Sequence, residues 1–121
     1  MEGQNQGVAT SAIHAVDARR KPRFKVAVDI KIHSKTCGAL KGYTVDMSES
    51  GVSAILKLEV SVGEMVELQF TLPFGPVRVY AIVRQRNAFR YGFQFVDSES
   101  ALYAVKTACR SLELEQALFG G

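Results

Sequence analysis

From Phe24 onward, apolar and polar residues alternate with a period of two. Val26, Val28, Ile30 and Ile32 interleave with Ala27, Asp29, Lys31 and His33, the mark of a strand with one wet face. Residues 34–38 read as a turn, and residues 40–45 as a second, weaker strand running into Asp46. Beyond Gly51, Val52, Ala54 and Leu56 alternate with Ser53, Ile55 and Lys57. Val62-Gly63 reads as another turn. Then Val66, Leu68, Phe70 and Leu72 alternate with Glu67, Gln69 and Thr71. Pro73-Phe74-Gly75-Pro76 is a breaker cluster. Val77, Val79, Ala81 and Val83 face opposite to Arg78, Tyr80, Ile82 and Arg84, and Asn87-Ala88 suggests a tight turn. Phe89, Tyr91, Phe93 and Phe95 form a sixth run. Six short strands with short connections predict a mainly β fold, an antiparallel sheet that closes or nearly closes into a six-stranded barrel. Closure removes the exposed edges that invite aggregation.

After Asp97 the period changes. Leu102, Val105, Cys109 and Leu112 recur at helical spacing, with Ala101, Ala104 and Ala108 beside them. Asp97 or Ser98 can cap the start, so a C-terminal α-helix is expected over about 98–117. Its apolar stripe covers or plugs the barrel in the simplest reading, and meets a partner helix in the sharper one. At the other end, residues 1–17 hold Gly, Gln, Asn, Ser and Ala with little periodicity, which predicts a flexible arm. Residues 18–121 then form the barrel domain with its helix.

The composition narrows the function. One domain is expected from 121 residues, and 47% apolar residues suffice for a core. A formal net charge of +3 is too small for a protein that wraps duplex nucleic acid. Cys37 and Cys109 are far apart and fit neither a disulfide framework nor a zinc ligand set, and His14 and His33 are isolated. No signal-peptide pattern and no apolar run of membrane-spanning length stands out, so a soluble cytoplasmic protein is expected. No nucleophile–base pair, catalytic triad, phosphate-cradling glycine run or metal set is visible. No enzyme activity, metal or cofactor is therefore expected.

Two motifs carry chemistry. Arg19-Arg20-Lys21-Pro22-Arg23 contains an R-x-x-x-R pair, and Pro22 disfavours a helix through it. Each arginine offers five donors in a planar fork, able to grip a phosphate bidentately, stack on a base or reach the O6/N7 edge of guanine. Asp46-Met47-Ser48-Glu49-Ser50-Gly51 reads D-x-S-x-x-G. The Asp46 carboxylate accepts from a guanine N1–H/N2–H₂ edge or an arginine fork. Ser48 can donate to a base or phosphate oxygen. Gly51 permits positive φ or close backbone approach. Taken alone, the second motif is also a plain Asx-type turn. Taken together, the two describe a site for an anionic ligand with a polar edge, such as a nucleotide.

The order R-x-x-x-R, strand, strand, D-x-S-x-x-G and barrel resembles a PilZ domain. So do Val62-Gly63-Glu64 before an alternating strand and Tyr91-Gly92-Phe93-Gln94-Phe95 near the end. The resemblance runs from Ala18 through the helix. It implies a bacterial receptor for cyclic di-GMP, an adaptor that works through a downstream protein partner. Arg19 and Arg23 match the motif arginines, which in the family clasp phosphates and guanine. Asp46, Ser48 and Gly51 match the second motif, which lines the guanine site. Arg20 and Lys21 are intervening positions whose charge aids capture. Arg84 occupies a position where such domains often carry tryptophan; it can stack on a purine or simply face solvent, as can Arg86. Members that take an intercalated ligand dimer often have an arginine where this chain has Ala18, which leaves one or two ligands open. The expected assembly is a monomer or weak dimer. Two other readings stay in play: a small barrel that binds single-stranded nucleic acid, and a degenerate PilZ fold acting only through protein contacts.

Overall fold

A computed structural model of the chain describes residues 22–57 and 59–119. The N-terminal arm, Ala18, Arg19, Arg20 and Lys21 lie outside the described residues. Among the described residues seven strands and one helix follow in order: β1 (Phe24–Lys25), β2 (Asp29–Ser34), β3 (Gly38–Met47), β4 (Gly51–Leu56), β5 (Met65–Leu72), β6 (Gly75–Asn87), β7 (Arg90–Phe95) and α1 (Glu99–Phe119). The sheet runs β3-β2-β5-β6-β7-β4 and returns to β3, every pairing antiparallel. The expected six-stranded closed barrel with a C-terminal helix is therefore observed. The seventh strand is a fragment of the first rib, because β1 and β2 both pair with β3.

That rib breaks at Val26–Val28, where period-two alternation suggests a continuous strand. Thr44 stitches the break. Its hydroxyl donates to the Val26 carbonyl and accepts from the Val28 N–H at 2.9 Å, while its own N–H donates to the Val28 carbonyl at 2.9 Å. The buried threonine thus satisfies backbone groups that the ladder leaves unpaired. One residue further on, β3 bulges against β4: Thr44 pairs with Ala54 but Asp46 pairs with Ser53, leaving Val45 as the extra residue. A bulge reverses the in–out alternation beyond it. Met47 consequently points into the core, fully buried, and Asp46 turns to the outer surface. A second bulge lies in β6, where Val83 pairs with Phe93 and Gln85 with Gly92, making Arg84 the extra residue.

Inward residues of every rib fill the barrel, among them Ile30, Ile32, Leu56, Val66, Leu68, Val79, Val83 and Tyr91. Burial of each aliphatic side chain stabilises the fold by roughly 1.5–3 kcal/mol. Three of the four aromatics in the last alternating run, Tyr91, Phe93 and Phe95, belong to this core. Phe89 does not: it precedes β7 in the β6–β7 turn and is 58% exposed. The breaker cluster also differs from expectation. Only Pro73 and Phe74 form the turn, and Gly75 and Pro76 already belong to β6, with Leu72 opposite Gly75. Gly75 takes φ 142°, a left-handed conformation that suits glycine at this corner.

Helix α1 lies against β6 and β1. Val105, Ala108, Cys109 and Leu112 are buried, with Leu102 half-buried, so the predicted stripe is used on the barrel itself. Ser98 is the cap, its hydroxyl accepting the Ala101 N–H at 3.3 Å. Asp97 instead ties the approach, accepting from the N–H groups of Ser98 and Tyr80. Near the far end Gln116 donates to the Lys25 carbonyl at 3.4 Å, which fastens the helix to β1.

Candidate functional site: an arginine cleft on β4, β6 and β7

Pro22-Arg23 leads directly into β1, whose register sets Phe24 opposite Met47 and Lys25 opposite Asp46. Arg23 is thereby carried past the end of β3, next to the outward-turned Asp46. Its Nη2 donates to Asp46 Oδ1 at 2.6 Å and its Nε to the same oxygen at 2.9 Å. The two sequence motifs, 23 residues apart at these positions, thus meet in an ion pair. Ser53 Oγ donates to Oδ1 as well, at 2.8 Å. The other carboxylate oxygen, Oδ2, accepts from Arg90 Nη2 at 3.0 Å. Partial burial pushes the Asp46 carboxyl upward, but hydrogen bonds from Arg23 and Ser53 and the charges of Arg23 and Arg90 outweigh it. The group is held below the ordinary carboxylate range.

Ser48 is set beneath this pair and not at the surface. Fully buried, its hydroxyl accepts the Ser50 N–H at 3.1 Å and lies 3.5 Å from Arg23 Nη1. The Ser48 N–H closes the turn on the Gly51 carbonyl at 2.8 Å. The turn is built on the Ser48 hydroxyl and is not an Asx-type turn on Asp46, whose carboxylate is taken up by Arg23, Ser53 and Arg90; the same loop also supports Arg23. Gly51 is required for close approach. A Cβ there would sit 2.2 Å from the Phe93 carbonyl oxygen of β7, while its φ lies outside the left-handed region. The glycine lets β4 start in close contact with β7.

An open cleft of about 730 Å³ is lined by residues of β4, β6 and β7 together with Arg23 and Asp46. Its charged lining is Arg23, Arg84, Arg86 and Arg90 around Asp46. Four guanidinium groups face one carboxylate, and among the described residues only Arg86 of these four finds a further acid, Glu59 at 3.2 Å. Arg84 donates through Nε to Gln94 Oε1 on β7. Arg86 stands over the Tyr91 ring with 5.6 Å to its centroid. The cleft offers planar cations at its rim, hydroxyls of Ser50 and Ser53, and no acidic wall. It is built to take an anion that has hydrogen-bonding edges.

Of the sequence-predicted site residues, Arg23, Asp46, Gly51 and Arg84 line this cleft and Ser48 supports it from below. Arg19 and Arg20 lie outside the described residues. Arg90 and Ser53 escape a reading by motif. The available signal is a second basic cluster, with Arg84, Arg86 and Arg90 in seven residues around the Asn87-Ala88 turn. Among the described residues no group of three His, Cys, Asp or Glu side chains is placed to hold a metal ion. No described helix is long and apolar enough to cross a membrane.

Comparison with known proteins agrees with this architecture. The fold is similar to the PilZ domain of CeSA from a cellulose-synthesizing bacterium, with a TM-score of 0.64 and 17% identity over 76% of this chain and 98% of that one. It is similar to the PilZ domain of YcgR from Escherichia coli, solved with c-di-GMP, with a TM-score of 0.67 and 17% identity over 80% and 92% of the two chains. It also resembles K. pneumonia MrkH in its c-di-GMP complex, with a TM-score of 0.69 and 16% identity; there the match covers 85% of this chain but 54% of MrkH. No curated protein matches the sequence significantly. The PilZ domain family profile matches residues 17–105, from just before the first arginine motif into the helix, and the chain belongs to the PilZ domain family.

Proposed function

We propose that this protein is a cyclic di-GMP receptor that acts as a cytoplasmic adaptor without catalysing a reaction. The observation that carries this reading is the ion pair between Arg23 and Asp46 at the mouth of a cleft rimmed by three further arginines. Cyclic di-GMP presents two phosphodiester charges and two guanine edges, which is the chemistry that rim accepts. YcgR and MrkH, two of the structural neighbours, have been solved with this ligand.

In this conformation Asp46 is saturated by Arg23, Ser53 and Arg90. It holds both guanidinium groups in the cleft before ligand arrives, which lowers the ordering cost of capture. Binding transfers part of that hydrogen bonding to phosphate and guanine. Arg19 and Arg20, on the leader upstream of Arg23, close over the ligand. β1 is the element that moves with them. It is two residues long and bonded both to β3 and, through Gln116, to α1. Reordering of the leader thus alters the surface near the helix, which a partner protein reads.

Isothermal titration with cyclic di-GMP, beside GTP and cyclic GMP, tests this. Saturable binding of cyclic di-GMP alone is expected, at micromolar affinity or better, since each charge-assisted hydrogen bond contributes about 1.5–3 kcal/mol. Silence at high micromolar ligand from a folded protein overturns the reading. The single-stranded nucleic acid alternative loses its main support, because Tyr91, Phe93 and Phe95 are buried and cannot stack bases.

A further inference from the structure

The strand order places β2 and β5 across the barrel from β7 and β4, so the face built on β3, β2, β5 and β6 lies opposite the arginine cleft. On that face the register draws one cross-strand row. Lys41 of β3 is directly opposite Lys31 of β2, Lys31 is opposite Gln69 of β5, and Gln69 is opposite Arg78 of β6. Lys57 follows Leu56, whose partner is Gly42, and so extends the row beyond Lys41. All four cations are exposed. Like charges directly opposed across a ladder destabilise a sheet. Among the described residues Lys31, Lys41 and Lys57 make no ion pair, and the one ion pair of Arg78 is with Glu67 at 3.7 Å. The row crosses a shallow groove of about 870 Å³ flanked by Tyr43, which is 54% exposed, with Asp29 opposite it.

We propose that this row is a docking strip for an acidic segment of a partner protein. Adjacent strands are about 4.8 Å apart, so Lys57 to Arg78 spans about 19 Å. An extended peptide sets same-side residues about 6.8 Å apart, and three or four Asp or Glu side chains on one edge match that length. A nucleic acid strand would use a series of aromatic faces for its bases. This groove offers a single exposed aromatic, Tyr43, because Phe70 is buried. The strip holds whether or not the arginine cleft binds cyclic di-GMP, since the two faces share no lining residue except through the frame of the barrel.

Fluorescence anisotropy of a labelled peptide of alternating Glu and Thr, titrated with the full chain at low and high salt, tests the strip. Saturable binding that salt weakens is expected. Lys31→Glu should weaken it about tenfold or more, the scale of losing a charge-assisted contact. The same substitution sets Glu against Lys41, so Tm should rise, which shows the variant is folded. Cyclic di-GMP should not displace the peptide. No binding, equal binding by Lys31→Glu, or displacement by cyclic di-GMP overturns the proposal. So does tighter binding of a dT oligonucleotide, or of phosphatidylglycerol-containing vesicles, with the same dependence on Lys31.

Discussion

Arg90 Nη2 lies 3.0 Å from Asp46 Oδ2, while Arg23 holds the opposite oxygen of the same carboxylate. One acid therefore orients two cations that come from distant parts of the chain. Arg90 should be a ligand-binding residue of the same rank as Arg23. Arg90→Ala is expected to weaken cyclic di-GMP binding about 10–100-fold, the equivalent of one charge-assisted hydrogen bond. Its effect on Tm should be small, because exposed pairs contribute about 1 kcal/mol or less. Calorimetry and a thermal melt of the variant check both; undiminished affinity would remove Arg90 from the site.

Arg23→Ala should abolish measurable binding with the barrel still folded, since among the described residues the side chain hydrogen-bonds only to Asp46 and Ser48. Arg23→Lys is expected to rescue little, because an ammonium cannot reproduce the Nε and Nη2 fork on Oδ1. Comparing the affinities of the two variants by titration separates a need for charge from a need for geometry. Near-full affinity in the lysine variant would show that charge alone suffices.

Gly51→Ala should destabilise the domain. Its methyl group would meet the Phe93 carbonyl at 2.2 Å, and both neighbours are backbone held in a ladder. Overpacking of this kind costs about 1–3 kcal/mol, and each kcal/mol lowers Tm by about 4 °C in a chain of this size. Differential scanning calorimetry reads the shift. An unchanged Tm would mean that β4 can slide away from β7, and the close-approach role of Gly51 would fall.

Much of this architecture is legible in the chain, and what is hidden is hidden for definite reasons. Alternation exposes strands because each has a core side and a wet side, as for Val66 to Leu72, buried at every second position. The bulges at Val45 and Arg84 are not visible in this way. One extra residue changes neither composition nor average period, yet it decides that Asp46 faces the cleft. Phe89 misleads because alternation continues into the β6–β7 turn, where its carbonyl still accepts the Leu56 N–H but its side chain faces solvent. Arg90 stays hidden because its neighbourhood depends on two registers at once, β7 with β4 and β4 with β3. The R-x-x-x-R and D-x-S-x-x-G patterns are legible since each packs its functional groups into one short stretch. The breadth of the arginine rim emerges only when three strands are laid side by side.

Acid should release the clamp. The Asp46 carboxyl sits below its unfolded range, so its contribution to stability is present above the unfolded pKa, about 3.9, and is lost as pH falls through the folded value. Glu64 is lowered too, chiefly by the hydrogen bond from Ser34 and further by Thr36, against the opposing effect of burial. Stability should therefore drop with acid below about pH 4. Asp46→Asn should flatten, without removing, that drop, because Glu64 remains. Urea midpoints across the acid range measure it, and identical pH profiles for the two proteins would deny Asp46 any charge-dependent role.

The two thiols should report the docking of α1. Cys37 is exposed, whereas Cys109 is 2% exposed on the helix face that meets the barrel. Burial first, and then the nearby charges of Glu49 and Glu113, push the Cys109 thiol up to about 11. At pH 8 only about one molecule in a thousand then carries the reactive thiolate there. Iodoacetamide should add one label to the native protein, at Cys37, and a second only after unfolding. Two labels at the same rate under native conditions would mean that the helix does not stay on the barrel. The positive charge of Arg23 acts on the same thiol in the opposite direction, favouring the thiolate. If ligand reorders the leader through β1, the slow labelling rate at Cys109 should change when cyclic di-GMP is added, while the rate at Cys37 stays constant. A Cys109 rate indifferent to bound ligand would place the partner-facing change elsewhere than the helix.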